Sequence, residues 1–184
     1  MAHLHIVVGP MFAGKSTFLI NTIESLKSNT SSDEILIINH SSDKRYSSDS
    51  VICTHDNKKI SSLSLNKLED IFELVDYNNL IKIKYIFIDE GQFFNDLYKT
   101  VKTLLLEHNK TLYVSGLDGD FKQIPFYDSR ILDLIPFATT VTKLTSLCFE
   151  CKQIAPFTKR ITKSCDKILV GGSDSYKPVC LNHL

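Results

Sequence analysis

The sequence predicts an α/β fold, a mainly parallel sheet flanked by helices, followed by a small C-terminal lobe of a different kind. Three observations predict it. Short apolar runs alternate with stretches of helical spacing as far as about Leu144. The first such run passes through Gly9-Pro10-Met11-Phe12-Ala13-Gly14-Lys15-Ser16 straight into a helical pattern. Four of the five cysteines then lie beyond Leu147, where helical periodicity stops.

The elements follow in order. Leu4-His5-Ile6-Val7-Val8 is an apolar run ended by Gly-Pro and reads as a buried strand. Ser16 to Lys27 carries Leu19, Ile23 and Leu26 at helical spacing, and the polar cluster Ser28 to Asp33 stops it. Ile35 to Ile38 is a second strand. Asn39 to Asn57, rich in Ser, Asp and His, reads as a long loop, a class that in compact domains is functional or disordered. A helix is expected from Asn66 to Val75 and a buried strand from Tyr85 to Ile88, ending in Asp89-Glu90. Helical spacing returns from Asp96 to His108, a strand follows at Thr111 to Ser115, and a short helix at Tyr127 to Ile135 is ended by Pro136. Thr139 to Leu144 is the last strand. The division is therefore 1–144 for the α/β domain and 145–184 for the lobe, which shows a Gly-Gly and no helix.

A chain of 184 residues, 43% hydrophobic, suits one globular unit with a small appendage. Its 21 basic and 21 acidic side chains cancel. Nucleic-acid binders draw affinity from a basic excess, so a DNA or RNA partner is disfavoured. No apolar run approaches the ~20 residues that span a bilayer. Met1-Ala2-His3-Leu4-His5 leads into the first strand without a secretory signal, so no membrane association and a cytoplasmic location are expected, host cytoplasm if the source is viral.

Gly9 and Gly14-Lys15-Ser16 complete the pattern G-x-x-x-x-G-K-[ST]. The glycines let successive N–H groups turn inward as an anion nest, and the following helix adds its positive end. Gly9 to Thr17 would thus cradle the phosphates of ATP or a related nucleoside triphosphate, with Lys15 at the terminal phosphates and the Ser16 hydroxyl on Mg2+. Such a loop needs an acid at the end of an apolar strand to hold the metal shell, and Asp89 supplies it. Neighbouring strand residues face opposite ways, so Glu90 can take a different role and accept a proton from an attacking hydroxyl or water. Whether water or an alcohol attacks stays open at this level.

Cys148-Phe149-Glu150-Cys151 is a knuckle, and Cys180-Leu181-Asn182-His183 is a second pair at the same spacing. Together they can close a tetrahedral Cys3His site for Zn2+. All four positions come from the protein, so the metal would be structural, stapling a lobe too small for its own core. Cys53 and Cys165 have no comparable partner and read as ordinary thiols.

These motifs, with Asp89-Glu90-Gly91-Gln92-Phe93-Phe94, Leu117-Asp118-Gly119-Asp120-Phe121, Lys143-Leu144-Thr145, Thr158-Lys159-Arg160, Gly171-Gly172 and Tyr176, closely resemble the type II thymidine kinases, the cytosolic and poxvirus-like group. The resemblance covers nearly the whole chain. It implies transfer of the γ-phosphate of ATP to the 5′-hydroxyl of thymidine, with Glu90 as base, Asp89 holding hydrated magnesium, and Arg45 beside the phosphates. It places Met11, Phe93, Leu117, Phe121 and Phe126 around thymine, Thr158 beside the base, Tyr176 at the sugar, and Leu169, Val170 and Gly171 on the base edge. Glu90 joins them through the acceptor hydroxyl. The resemblance also implies a lasso loop from about Lys163 to Tyr176 anchored by zinc, a homotetramer, and feedback inhibition by thymidine triphosphate. Asp120 departs from the usual threonine, Phe157 from the usual tyrosine, and Pro156 is unusual. Asp120 motivates a broader deoxynucleoside kinase as an alternative. A P-loop ATPase with a nucleic-acid-binding zinc ribbon is a further one, which the neutral charge disfavours.

Overall fold

A computed structural model describes residues 1–42, 51–53, 59–162 and 171–184. The elements run β1 (Leu4–Val8), α1 (Lys15–Lys27), β2 (Ile35–His40), β3 (Val51–Cys53), β4 (Lys59–Ser61), β5 (Leu63–Leu65), α2 (Ile71–Leu74), α3 (Tyr77–Lys82), β6 (Tyr85–Ile88), α4 (Leu97–Leu106), β7 (Thr111–Gly116) and β8 (Thr140–Lys143). The lobe adds β9 (Ser146–Leu147), β10 (Ile154–Ala155), β11 (Phe157–Arg160) and β12 (Tyr176–Val179). Six strands form one sheet in the order β5-β2-β6-β7-β1-β8, and every pairing in it is parallel. The antiparallel pairs β3–β4, β9–β10 and β11–β12 lie outside it.

Both faces of the sheet are covered, which is why its strands read as nearly continuous apolar runs. Ile86 and Ile88 of β6 pack with Leu97, Val101 and Leu104 of α4 on one face, while Phe87 between them packs with Leu19, Ile20 and Ile23 of α1 on the other. The period-2 alternation of strand side chains does this sorting. Among the described residues, no helix is long and apolar enough to cross a membrane.

Three expected elements differ in detail. The helix over Asn66–Val75 is a 3-10 turn at Leu68–Asp70 running into α2. It starts at Leu68 because the carboxylate of Asp96 accepts the Leu68 and Glu69 N–H groups at 3.1 and 2.7 Å, a cap from a residue remote in sequence. The segment expected at Tyr127–Ile135 is a 3-10 helix at Ile131–Phe137, entered through left-handed Arg130, with Pro136 inside it. A 3-10 turn loses only one bond to a proline there. The Asn39–Asn57 stretch includes the end of β2 and all of β3, while its residues 43–50 and 54–57 lie outside the described residues.

Candidate active site

β1 ends where the chain must turn over the sheet edge, and the glycine loop makes that turn. At Gly9 (φ 154°) a Cβ would sit 2.4 Å from the backbone oxygen of Leu144, so only glycine fits against the end of β8. Gly14 has φ 83°, a left-handed conformation immediately before α1, with nothing within 4 Å of its missing Cβ; the backbone alone requires glycine there. Phe12 is also left-handed, at φ 65°. Such alternation turns N–H groups toward one concavity at the N-terminus of α1. Lys15 is buried and folds over the loop, its Nζ donating to the Pro10 carbonyl at 2.7 Å.

β7 lies between β1 and β6, so Ser115 on β7 is placed to bridge the loop side and the acidic side. Its hydroxyl donates to Asp89 Oδ1, and Ser16 at the start of α1 also hydrogen-bonds to Asp89. Asp89 is fully enclosed. Burial pushes its carboxyl above the usual carboxylate range, the neighbouring Glu90 charge adds to this, and the Ser115 and Ser16 hydroxyls partly oppose it. The hydroxyl and carboxylate oxygens meeting here are the donor set a hard cation such as Mg2+ takes.

Glu90 departs from the expected geometry. β6 stops at Ile88, and Glu90 is left-handed (φ 54°, ψ 38°), so the turn, rather than strand alternation, separates its direction from that of Asp89. Its N–H donates to Asp89 Oδ1 at 3.0 Å, and its Oε2 accepts from Gln92 Nε2. Gln92 Oε1 in turn accepts the Leu117 N–H at 2.9 Å. One buried amide therefore holds both Glu90 and the strand-end loop that carries Leu117.

The residues expected around the nucleoside converge unevenly. Met11 is buried, and its N–H donates to Thr158 Oγ1 at 2.9 Å, joining the phosphate loop to the lobe. Phe121 and Tyr176 meet across Arg160, whose guanidinium carbon is 3.9 Å from the Phe121 ring centre and whose Nη2 donates to the Tyr176 hydroxyl at 2.8 Å. Phe93 lies beside the His40 ring at 5.7 Å. Gly171 packs against Ser175, which would meet a Cβ there at 2.6 Å. Phe126 is half-buried, its carbonyl accepting the Arg130 N–H; the described contacts do not join its ring to the others. One oxygen of the Asp120 carboxylate is engaged locally, its Oδ1 accepting the Lys122 and Ile124 N–H groups at 2.7 and 3.0 Å. Arg45, Leu169, Val170 and Cys165 lie outside the described residues, as does the side chain of Cys53.

In the lobe, the ligand atoms of Cys148, Cys151, Cys180 and His183 all lie within 4.8 Å of one another. Cys151 and Cys180 sulfurs are 3.6 Å apart, and His183 Nδ1 is 3.6 Å from Cys148 Sγ and 3.3 Å from Cys180 Sγ. Tetrahedral zinc with bonds of about 2.0–2.3 Å produces such edges. Cys148 is pulled down to about 6: burial opposes ionisation, but the backbone N–H groups of Cys151, Cys180 and Glu150 outweigh it. A stabilised thiolate is the form that binds metal. Among the described residues, the hydrophobic cluster here is Cys148, Ala155, Val179 and Cys180, with Phe157 against it.

Gln92, Ser115 and the contacts of Arg160 were not assigned a task from sequence. Gln92 and Arg160 stand within motifs, which was their only signal; a serine inside a strand carries none.

The thymidine kinase family profile matches residues 2–184. The chain is 38% identical to the thymidine kinase of rabbit fibroma virus, over 97% of this chain and 93% of that protein. It is 39% identical to the thymidine kinase of rice, over 98% of this chain and 65% of that longer protein. It is 36% identical to the human cytosolic thymidine kinase, over 96% of this chain and 70% of the human protein. With a phosphate loop, a strand-end acid pair and a Cys3His cluster on one scaffold, the chain belongs to the thymidine kinase family.

Proposed function

We propose that the protein transfers the γ-phosphate of ATP to the 5′-hydroxyl of thymidine, giving thymidine monophosphate for DNA-precursor salvage. The observation that carries this reading is the full-length family match, joined to a phosphate loop with Glu90 held at the sheet edge beside it. Residues 1–144 act as the nucleotide-binding unit and 145–184 as the lobe that closes over the nucleoside.

The residues divide the work. Gly9 to Thr17 bind the triphosphate, and Lys15 moves from the Pro10 carbonyl to the terminal phosphates. Ser16 and Asp89 would hold magnesium, which when bound would offset charge on the phosphate oxygens. Glu90 takes the proton from the 5′-hydroxyl, the oxygen bonds to the γ-phosphorus, and the β–γ bridging oxygen leaves with ADP. Gln92 keeps Glu90 aimed at that hydroxyl. Arg45 is assigned the developing phosphate charge on the family resemblance. Met11, Phe93, Leu117, Phe121, Phe126 and Thr158 form the apolar slot for the flat base. Leu169, Val170 and Gly171 read the base edge through their backbone groups, and Tyr176 serves the sugar.

The same resemblance supports a homotetramer, thymidine triphosphate as feedback inhibitor in this cleft, and a cytoplasmic setting like that of the human relative. One oxygen of the Asp120 carboxylate is bound within its own loop, which speaks against a broader nucleoside range without excluding it. Phosphate transfer from labelled ATP to thymidine, with deoxycytidine and deoxyuridine alongside, tests the reading. Glu90→Gln is expected to lower kcat at least about 100-fold with little change in KM for ATP. Undiminished transfer removes Glu90 as the base, and equal efficiency on all three nucleosides removes the thymidine preference.

A further inference from the structure

Arg160 occupies the last register pair of the β11–β12 ladder, opposite Tyr176. Its guanidinium is held between two rings, 3.9 Å from the centre of Phe121 and 5.3 Å from that of Tyr176. Phe121 comes from the loop after β7 and Tyr176 from the lobe, so one planar cation joins the two bodies that face the nucleoside. Two residues earlier, on the same face of β11, Thr158 accepts the Met11 N–H. This strand thus meets the α/β body at two points, one on the phosphate loop and one on the loop that carries Phe121.

The direction of the Arg160–Tyr176 bond has a chemical consequence. A guanidinium has five donors and no acceptor, so at 2.8 Å the Tyr176 oxygen must accept. The bond and the ring contact together hold the Tyr176 side chain in one place. We infer that Arg160 is a positioning residue for the nucleoside: it fixes the Tyr176 ring through its hydroxyl oxygen and supports the Phe121 face. It rests on the thymidine-kinase reading of the site and adds to it the residue that orders the acceptor side. A lysine lacks both the plane that stacks and the fork that aims.

The test is steady-state transfer with thymidine and ATP varied separately, for the unaltered protein, Arg160→Lys, Arg160→Met, Tyr176→Phe and the Arg160→Met/Tyr176→Phe double variant. Arg160→Met is expected to raise KM for thymidine about tenfold or more while KM for ATP stays within about twofold. Arg160→Lys restores less than about a third of that loss. The double variant falls within about twofold of the worse single one, because both act through one bond. Thermal midpoint and zinc content are followed throughout, and Arg160→Lys, which keeps charge and stem, carries the comparison should Arg160→Met lose its fold. Equal changes for both substrates, full rescue by lysine, or additive losses overturn the inference while leaving the kinase reading intact. Absence of thymidine phosphorylation by the unaltered protein overturns both.

Discussion

Asp89 concentrates the site's electrostatics in one carboxyl group. Burial first and the Glu90 charge second raise its pKa, so in the free protein its ionisation opposes folding. A raised folded value means its contribution is fully present below the ordinary carboxylate range and lost as pH rises through the folded value. Asp89→Asn removes that penalty. At neutral pH the variant should melt above its parent, by about 2–4 °C for each kcal/mol recovered. The gap should close on acidification toward about pH 4, while transfer activity falls at least about 100-fold. Melting scans in metal-free buffer across this range decide it, and a gap that widens on acidification refutes the assignment. At this scale the sequence was informative wherever a residue stood in a motif: Asp89 ends an apolar strand, and Lys15 and Ser16 follow a glycine. Ser115 was invisible, because nothing distinguishes a bridging hydroxyl from any other serine in a strand. Strand alternation does not give the direction of Glu90, because a left-handed residue follows the strand's end.

Elements were legible in proportion to how far their stability is local. α1 and α4 showed their spacing because one face of each is buried along its length. α3 did not: it has six residues, too few for a period. Asp76 caps it at one end through the Asn78 N–H, and buried Lys110 holds the Leu80 and Ile83 carbonyls at 2.6 Å from the other. No local pattern announces a lysine nearly thirty positions away. The two loop glycines lend themselves to a paired test of the same distinction between local and remote cause. Gly14→Ala meets only backbone strain, about 1 kcal/mol, because its surroundings are open. Gly9→Ala drives a methyl into the Leu144 carbonyl and should cost at least about 2–3 kcal/mol, displacing β8 from β1. Denaturant midpoints would rank them; equal losses would show that the contact with β8 does not matter.

Among the described residues, the molecule pairs a large sheet core with a small C-terminal cluster that includes two of the four candidate metal ligands. Metal analysis should find about one zinc per chain. Stripping it with a chelator should raise KM for thymidine about tenfold or more, with the α/β domain still folded by circular dichroism and still able to bind ATP. A metal-free protein with unchanged kinetics would leave the Cys3His cluster without its structural task. The cluster was readable as two pairs at equal spacing, yet its ties to the rest of the molecule, through Thr158 and Arg160, were not, because they join positions 147 residues apart in one case and 39 in the other.

The bond from the Met11 N–H to Thr158 reaches further than its length. On the proposed reading Met11 would belong to the cradle for one substrate and Thr158 to the wall of the slot for the other, so the bond between them would couple the two occupancies. Linkage of this sort is reciprocal: by whatever factor a bound nucleoside alters the grip on triphosphate through that bond, triphosphate alters the grip on nucleoside by the same factor. Affinity for either substrate would then be a property of both, and a value measured for one alone would describe a different state from the one that turns over.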